Sequence, residues 1–519
     1  MVQSYPLLTT TKGSYVLYPS NPIGTKEIMK FAFISPGANE ELSLTEKSKV
    51  IGSWPPLGIL YIATVLRDEA DIEVAVLDQA AEGYTIEQAA RWAERQDPDI
   101  LGFSALASSG KTAARIAQEV KERKPDITTV LGNYYATFND QRILTTYPSI
   151  DIIVRGEGEE TTRELATAIE KGYDLRQVQG ITFKEKDKVV TTLDRPLIED
   201  IDALPIPDRA LLNVEYHSTL VGAIGAPKKF TTLLSSRGCP YHCRFCGCQK
   251  IVHGIWRPRS VEKTLEELQV LTGEGYRQFL FVDDSFTINQ KRTIELCRRI
   301  AAEKMDIEWI CEGRVNHASH ELMHHMVKAG CRIIYFGIES ANQRILDYYQ
   351  KQTTPQQSRT AVKTARKAGM DIIVGSFIVG APTETRQEIE NTLQFALGTP
   401  LDVPQYNILG IFPGMAIWDE FKEKGFLTEE QEKEHWEMGV AVAKIHPETV
   451  PHQEIKALIR HYYHKFFIRR PNFLLEQLAR TIKSPFRFDI MKANLSRIGS
   501  IRKGWHDFVA SEEEGCIEA

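Results

Sequence analysis

At 519 residues the chain is too long for one ordinary hydrophobic core, and its length corresponds to about three domains. With 42% hydrophobic and 25% charged residues it has the make-up of a soluble globular protein, and a net charge of −6 speaks against a dedicated nucleic-acid binder. No run approaches the roughly 18 apolar residues that cross a bilayer. The start, MVQSYPLLTTTKGSYVLYP, lacks the basic flank and apolar core of a signal peptide, so a cytoplasmic protein is expected.

The first third alternates short apolar strands with amphipathic helices. Strands are expected at 30–36 (KFAFISP), 72–78 (IEVAVLD), 99–105 (DILGFSA), 127–132 (ITTVLG) and 150–156 (IDIIVRG). Helices are expected over 55–68 and near 86–95, 110–123 and 159–170. Nearly continuous β-branched strands with helices between them predict a parallel sheet covered on both faces, a doubly wound Rossmann-like (flavodoxin-like) domain. Such sheets bind ligands at the carboxyl ends of their strands, where the loops here carry Gly, Ser and Asp. Residues 174–229 change character: a hairpin in VQGITFKEKDKVVTTLDRP precedes a Pro- and Asp-rich stretch, which reads as a linker.

From about 230 the alternation restarts, with strands at 231–236, 278–284, 307–313, 332–340, 371–380 and 403–410. Six such units predict a (β/α)6 partial TIM barrel, with functional groups at the strand carboxyl ends. The expected division is an extension at 1–28, domains at 29–173 and 230–430 joined by a linker at 174–229, and a helical region at 431–519 with an acidic tail.

Four of the eight cysteines crowd into ten positions (Cys239, Cys243, Cys246, Cys248), while Cys297, Cys311, Cys331 and Cys516 are scattered. RGCPYHCRFCGCQK has the spacing C-x3-C-x2-C directly after the first barrel strand. Three thiolates in one loop can hold three irons of a [4Fe–4S] cube and leave the fourth open. A structural zinc site would need a fourth ligand, for which Cys248 and His242 are available. Cys248 itself reads as a buried hydrophobe, a further ligand or a reactive thiol.

The motif in its barrel context resembles the radical S-adenosylmethionine (SAM) superfamily. The resemblance implies that Cys239, Cys243 and Cys246 bind a [4Fe–4S] cluster whose open iron chelates SAM and cleaves it to a 5′-deoxyadenosyl radical. It also implies SAM contacts from Phe245, from Asp283 and Asp284 in FVDDSFTINQ, and from Arg314 in CEGRV. Glu339 in YFGIES and Gly380 and Pro382 in GAPTET complete that set. On their own terms, Asp284 or Ser285 equally fits a cap of the next helix, and Thr383 or Glu384 its start.

The amino-terminal domain resembles cobalamin-binding domains attached to such barrels, through PPLGILYIA, LDQAAEG, LGFSAL, VLGNYYAT and RGEGEET. The implied corrin contacts are Ser104, Leu106, Gly132, Gly156 and Glu157. Cobalamin modules with D-x-H-x-x-G use the His as lower axial ligand; Asp78-Gln-Ala80-Ala-Glu-Gly83 has Ala80 at that place. The lower face of cobalt would then be open, water-bound or approached by another residue.

Together the resemblances, which cover about residues 28–430, imply a cobalamin-dependent radical SAM enzyme similar to the anaerobic magnesium-protoporphyrin monomethyl ester cyclase and class B methyltransferase group. The leading expectation is methylation of an unactivated carbon. Oxidative cyclisation or carbon-skeleton coupling or rearrangement is the alternative, and a non-catalytic iron–sulfur or cobalamin-binding regulator is the alternative of another class. An external electron donor of flavodoxin or ferredoxin type is implied, with a small-molecule substrate and no nucleic acid.

HELMH (320–324) matches the H-E-x-x-H zinc pattern, but Leu322, Met323 and Met326 supply a core-facing stripe and no third ligand follows. Residues 451–505 hold 12 Lys/Arg against 3 Asp/Glu, interleaved with Tyr and Phe. They read as a helical cap with a solvated basic face, or as a dock for the membrane surface that would suit a hydrophobic or lipid substrate.

Overall fold

Strand and helix alternate through two parallel sheets in the computed structural model, which describes residues 28–37, 54–70, 72–186, 188–216, 228–429, 432, 450–468 and 471–495. The first sheet contains β1 (Lys30–Ser35), β2 (Glu73–Asp78), β3 (Ile100–Ser104), β4 (Thr128–Gly132), β5 (Ile152–Val154), β6 (Ile181–Glu185) and β7 (Lys188–Thr191), ordered β2-β1-β3-β4-β5-β6-β7. Strands β1–β5 pair in parallel, and β6 and β7 follow antiparallel. The chain leaves β1 toward β2 on one side and toward β3 on the other. This reversal opens a crevice at the strand carboxyl ends.

The hairpin within the expected linker is β6–β7, and Val154 pairs with Ile181. It therefore extends the first sheet rather than spanning free between domains. Its role was not apparent in the sequence because an antiparallel edge and an isolated hairpin share the same local pattern.

The second sheet holds β8 (Lys229–Leu233), followed by a two-stranded ribbon of β9 (Ser236–Arg237) and β10 (Arg257–Pro258). Its remaining strands are β11 (Tyr276–Phe281), β12 (Glu308–Arg314), β13 (Cys331–Glu339), β14 (Ile372–Val379) and β15 (Val403–Ile408). All six neighbours in the order β15-β14-β13-β12-β11-β8 are parallel, the expected (β/α)6 partial barrel. The intervening helices begin where the sequence supplies caps. Ser260 caps Val261–Gly273, and Thr354 with Gln357 and Thr385 with Glu388 form capping boxes for Pro355–Lys367 and Arg386–Leu397.

One apolar core runs from Phe31, Phe33 and Val154 of the first sheet to Phe230, Leu280 and Ile310 of the barrel, so the two units pack on each other. Helices His452–Ile468 and Pro471–Lys483 bury Phe466 and Phe473 against the barrel. Asp402 ties the carboxyl-terminal region down. It accepts hydrogen bonds from Arg366 (2.5 Å), Arg480 (2.6 Å) and Arg487 (2.6 Å), and from the Ile373 N–H (2.7 Å). On helix His320–Lys328, Leu322, Met323 and Met326 are buried while His320 and His324 face outward, as the apolar stripe predicts. No described helix is long and apolar enough to cross a membrane.

Candidate active site between the two sheets

A cavity of about 370 Å³ lies at the carboxyl ends of β1, β3, β4 and β5 and faces the barrel. Its inner part is apolar. Phe31 and Phe33, two residues apart on β1, stack with ring centroids 4.3 Å apart. Gly102 stands beside them on β3; a Cβ there would lie 2.8 Å from a carbon of each ring. The mouth is polar, with Ser104, Asn133 and Tyr134 on the first-domain side and Arg237, Gly238 and Asp284 on the barrel side. A flat apolar slot with a polar rim suits a large cofactor whose aromatic tail is buried and whose periphery needs hydrogen bonds.

Of the corrin contacts expected from sequence, Ser104, Gly132, Gly156 and Glu157 line this cavity. Leu106 is not among the lining residues and is 56% exposed. Glu157 lines the cavity and also has partners outside it. It accepts from Arg237 Nη1 (3.0 Å), from Arg257 Nη1 (2.8 Å) and Nη2 (3.0 Å), and from the Ile198 N–H (2.8 Å), which joins the first sheet to the root of the barrel. Burial alone would raise its pKa, but the Arg257 hydrogen bonds and the Arg237 charge bring it below the ordinary value. Glu159 adds a second contact to Arg237 at 2.5 Å.

Ala80 lies on the short helix Gln79–Glu82, capped by Asp78 at the end of the edge strand β2. Asp78 in turn accepts from the Tyr216 hydroxyl at 2.6 Å. None of residues 78–83 is among those lining the cavity.

The cysteine loop hangs from β9. Gly238 adopts φ +87°, and a Cβ there would collide with the Ile255 carbonyl; its N–H donates to Asp284 Oδ2 at 2.9 Å. The Cys246 N–H donates to the Cys243 carbonyl at 3.0 Å, and the Arg244 N–H to the Tyr349 carbonyl at 3.0 Å. Phe245 meets the Tyr349 ring edge-on at 5.1 Å. Cys243 is buried with Arg314 Nη1 3.6 Å from its sulfur, and the Arg314 guanidinium stacks 3.5 Å from the Tyr241 ring centre. Neighbouring Cys248, which is buried, draws the Cys246 thiol below its ordinary value, against the effect of burial. Among the described residues, no three His, Cys, Asp or Glu side chains are grouped at metal-holding distances. Of these thiols, that of Cys243 faces Arg314 instead.

The two neighbouring aspartates diverge. Asp283 is buried and accepts from the Ser235 N–H (2.8 Å), Ser235 Oγ (2.8 Å) and Ser236 Oγ (2.5 Å), so its carboxylate is spent on holding the segment after β8. Asp284 faces the cavity. Neither Asp284 nor Ser285 caps the following helix; Asn289 does.

Glu339, at φ +62°, forms a buried ion pair with Lys351 Nζ at 2.6 Å. Gly337 leaves the space for it, since a Cβ there would lie 2.5 Å from Glu339 Oε1 and 2.7 Å from Lys351 Nζ. Lys351 also takes the Arg314 Nη2 hydrogen bond on its carbonyl and lies 5.7 Å from the Phe245 ring centre. It sits between Gln350 and Gln352, both at positive φ, a strained turn of the kind that gathers at functional sites. The sequence gives little sign of it, because a lysine in YQKQTT reads as solvated.

Gly380 adopts φ +87°, Pro382 is buried, and the Gly380 and Ala381 N–H groups donate to Glu384 Oε2 at 2.6 and 3.1 Å. Thr385, not Thr383 or Glu384, starts the next helix. Burial raises the Glu384 carboxyl to about 7. Glu312, on β12 opposite Tyr335, is raised by burial and then by the charges of Glu339 and Asp284, which makes it a third carboxylate of this region.

Residues 233–396 match the Radical SAM superfamily, and residues 47–166 match the B12 binding domain. An uncharacterized methyltransferase of Pyrococcus horikoshii, PH0819, is 36% identical over 454 residues, covering 87% of this chain and 95% of that protein. The anaerobic magnesium-protoporphyrin IX monomethyl ester cyclase of Rubrivivax gelatinosus is 30% identical over 432 residues, covering 82% of this chain and 75% of its own length. The solved structure of the radical S-adenosylmethionine methyltransferase TsrM from Kitasatospora setae, with cobalamin and a [4Fe–4S] cluster bound, aligns with a TM-score of 0.63. At 17% identity over 77% of this chain and 75% of that one, this likeness concerns the fold alone. The chain therefore belongs to the radical SAM superfamily, in the group that carries an amino-terminal B12-binding domain, and is a methyltransferase-like enzyme of [4Fe–4S], SAM and cobalamin.

Proposed function

We propose that this enzyme methylates an unactivated carbon of a small-molecule substrate in the space between the cysteine loop and the cavity mouth. The observation that carries the reading is the double duty of Gly238 and Asp284. Both line the cavity, and their mutual hydrogen bond fixes the root of the cysteine loop. Cofactors held by the cavity and by the loop would therefore meet across a shared wall.

Cys239, Cys243 and Cys246 would hold the cluster, as three thiolates of one loop can. When bound, these cofactors supply reductive SAM cleavage and a transferable methyl group. The residues of the chain bind and orient. Phe245 and Gly380 would flank the adenosyl part, and Asp284 and Glu339 would meet its polar groups. Arg314 braces Cys243, while the apolar slot around Gly102 would take the cobalamin tail and exclude water. Asp283 and Glu157 act as positioning residues through Ser235, Ser236, Arg237 and Arg257.

The cyclase relative supports a second reading, oxidative cyclisation without methyl transfer. Exposed Leu475 (67%), Leu478 (52%) and Ile482 (71%) form a stripe on helix Pro471–Lys483 within the basic region. They support peripheral membrane contact by an otherwise cytoplasmic enzyme and access to a hydrophobic or lipid substrate. A flavodoxin or ferredoxin would supply the electrons.

The test uses anaerobically purified, cluster-reconstituted protein with cobalamin, SAM and a strong reductant. Formation of both 5′-deoxyadenosine and S-adenosylhomocysteine is expected. Deoxyadenosine alone would move the chemistry to cyclisation, coupling or rearrangement.

A further inference from the structure

The short helix Tyr134–Phe138 follows β4 at the carboxyl end of the first sheet, and its inner side is fixed in that domain. Tyr135 and Ala136 are buried in the core, and Tyr135 lies so close to Gly110 that a Cβ there would collide with its ring. Asn139 closes the turn. Its N–H donates to the Ala136 carbonyl at 3.2 Å and its Nδ2 to the Tyr135 carbonyl at 2.8 Å. Thr137 Oγ1 donates to the Asn133 carbonyl at 3.0 Å and accepts from the Gly156 N–H at 3.0 Å. Asn133, Tyr134 and Gly156 line the cavity, so this helix is built into the cavity wall.

Phe138, at the end of the same helix, packs on the barrel against two glycines. A Cβ at Gly414 would lie 2.5 Å from its ring carbon Cε2, and one at Gly247 would lie 3.2 Å from the same atom. Gly414, at φ +97°, belongs to the segment between β15 and helix Ala416–Glu423. Gly247 directly follows Cys246. Helix Ala416–Glu423 in turn holds the cysteine loop. The Ile417 N–H donates to the Arg244 carbonyl at 3.3 Å, Arg244 Nη2 donates to Glu420 Oε2 at 2.7 Å, and Lys250 Nζ pairs with Asp419 Oδ2 at 2.7 Å. A ring of the amino-terminal domain thus stands inside the frame that carries the third cysteine of the motif. Close-packed contacts of this kind pass a displacement on instead of absorbing it.

We propose that Phe138 is a positioning residue that sets the separation between the cysteine loop and the cavity, and so between the two cofactors. This rests on the reading that the loop holds the cluster with SAM and the cavity holds cobalamin. Phe138 is not among the residues lining the cavity, and it meets the cysteine loop at Gly247. Truncating it therefore leaves the cysteines and the cavity lining in place and changes the register between them. Misplacing reacting groups by about 1 Å can cost roughly a hundredfold in rate. Cleavage of SAM to 5′-deoxyadenosine needs the loop alone, whereas S-adenosylhomocysteine forms only when SAM and cobalamin meet. Phe138 governs the second product and not the first.

The test uses the full-length protein loaded with cluster and cobalamin, with iron and cobalamin measured in every preparation. Wild type, Phe138→Ala, Phe138→Leu, Gly247→Val and the double variant Phe138→Ala with Gly247→Val are compared. Electron paramagnetic resonance, poised so that the reduced cluster and cob(II)alamin are both paramagnetic, reads their dipolar coupling. The two products of SAM are followed with a strong reductant. Wild type is expected to give one well-defined coupling. Phe138→Ala should broaden or shift it and lower S-adenosylhomocysteine formation about tenfold, with 5′-deoxyadenosine kept within about twofold. Phe138→Leu should fall between the two, and it carries the comparison if the Ala variant does not load. Gly247→Val should displace the loop and shift the coupling. In the double variant the valine refills part of the vacated space, and both readouts should return toward wild type. Wild-type coupling and product ratio in the single variants, or an equal loss of both products, would overturn the assignment. Failure of the underlying reading would appear in wild type itself, as a protein that retains no cobalamin or no cluster.

Discussion

Replacing Glu157 by Gln keeps the shape of the hub between the first sheet and the barrel and removes its charge. Glu157 is the carboxylate that receives the fork of Arg257, a side chain only 7% exposed, and it shares Arg237 with Glu159. After the change Arg257 keeps the Ile198 carbonyl at 2.6 Å but loses its counter-charge, and the amide nitrogen presents a donor to a donor. Removing one partner of a buried pair costs roughly 3–5 kcal/mol. The partial exposure of Glu157 and the help of Glu159 place this case at the lower end, about 3 kcal/mol. Thermal unfolding should begin several degrees earlier, and cobalamin retention should fall because Arg237 leads directly into Gly238 at the cavity wall. A double-mutant cycle with Arg257→Gln isolates the pair, with a coupling of at least about 1 kcal/mol expected. Unchanged unfolding and cobalamin retention in Glu157→Gln, or additive single effects, would refute the claim that this hub joins the two units.

Gly102→Val forces branched carbons into the Phe31 and Phe33 rings. It should lower the cobalamin bound per chain at least tenfold while iron content stays at the wild-type level, as read by absorbance and metal analysis. Lys351→Met leaves Glu339 buried without its partner, a loss of roughly 3 kcal/mol or more. It should weaken SAM binding measured by calorimetry, whereas normal affinity would remove Lys351 and Glu339 from the site. Glu384 has a folded pKa of about 7 against 4.5 unperturbed, so the native state binds more protons than the unfolded state between those values. Stability should therefore fall as pH rises from about 4.5 to 7, by up to roughly 3 kcal/mol. Glu384→Gln should flatten the melting temperature over that window; parallel pH profiles would contradict this.

What the sequence made legible was local. The βα alternation, the C-x3-C-x2-C spacing and the buried stripe beside HELMH each depend on residues a few positions apart, and the first and last recur in the fold. The partners of several site residues lie far along the chain. Asp283 and Asp284 look equivalent until Ser235 and Ser236 claim the first and Gly238 the second. Glu157 looks like a rim residue until Arg257, 100 positions later, binds it. Lys351 gains its place from Glu339 and from a turn between two left-handed glutamines that no composition rule anticipates. Ala80 was matched by motif, and only the strand order places its turn beyond the outer strand.

Cys239, Cys243 and Cys246, and not Cys248, are expected to carry the reactive cluster. The most direct measurement is iron content, the reduced-cluster resonance spectrum and 5′-deoxyadenosine yield for the four single Cys→Ala proteins, prepared anaerobically side by side. Cys239→Ala, Cys243→Ala and Cys246→Ala are each expected to lose both the spectrum and the product, and Cys248→Ala to keep both. Loss in Cys248→Ala, with cluster and product retained in any one of the other three, would contradict it.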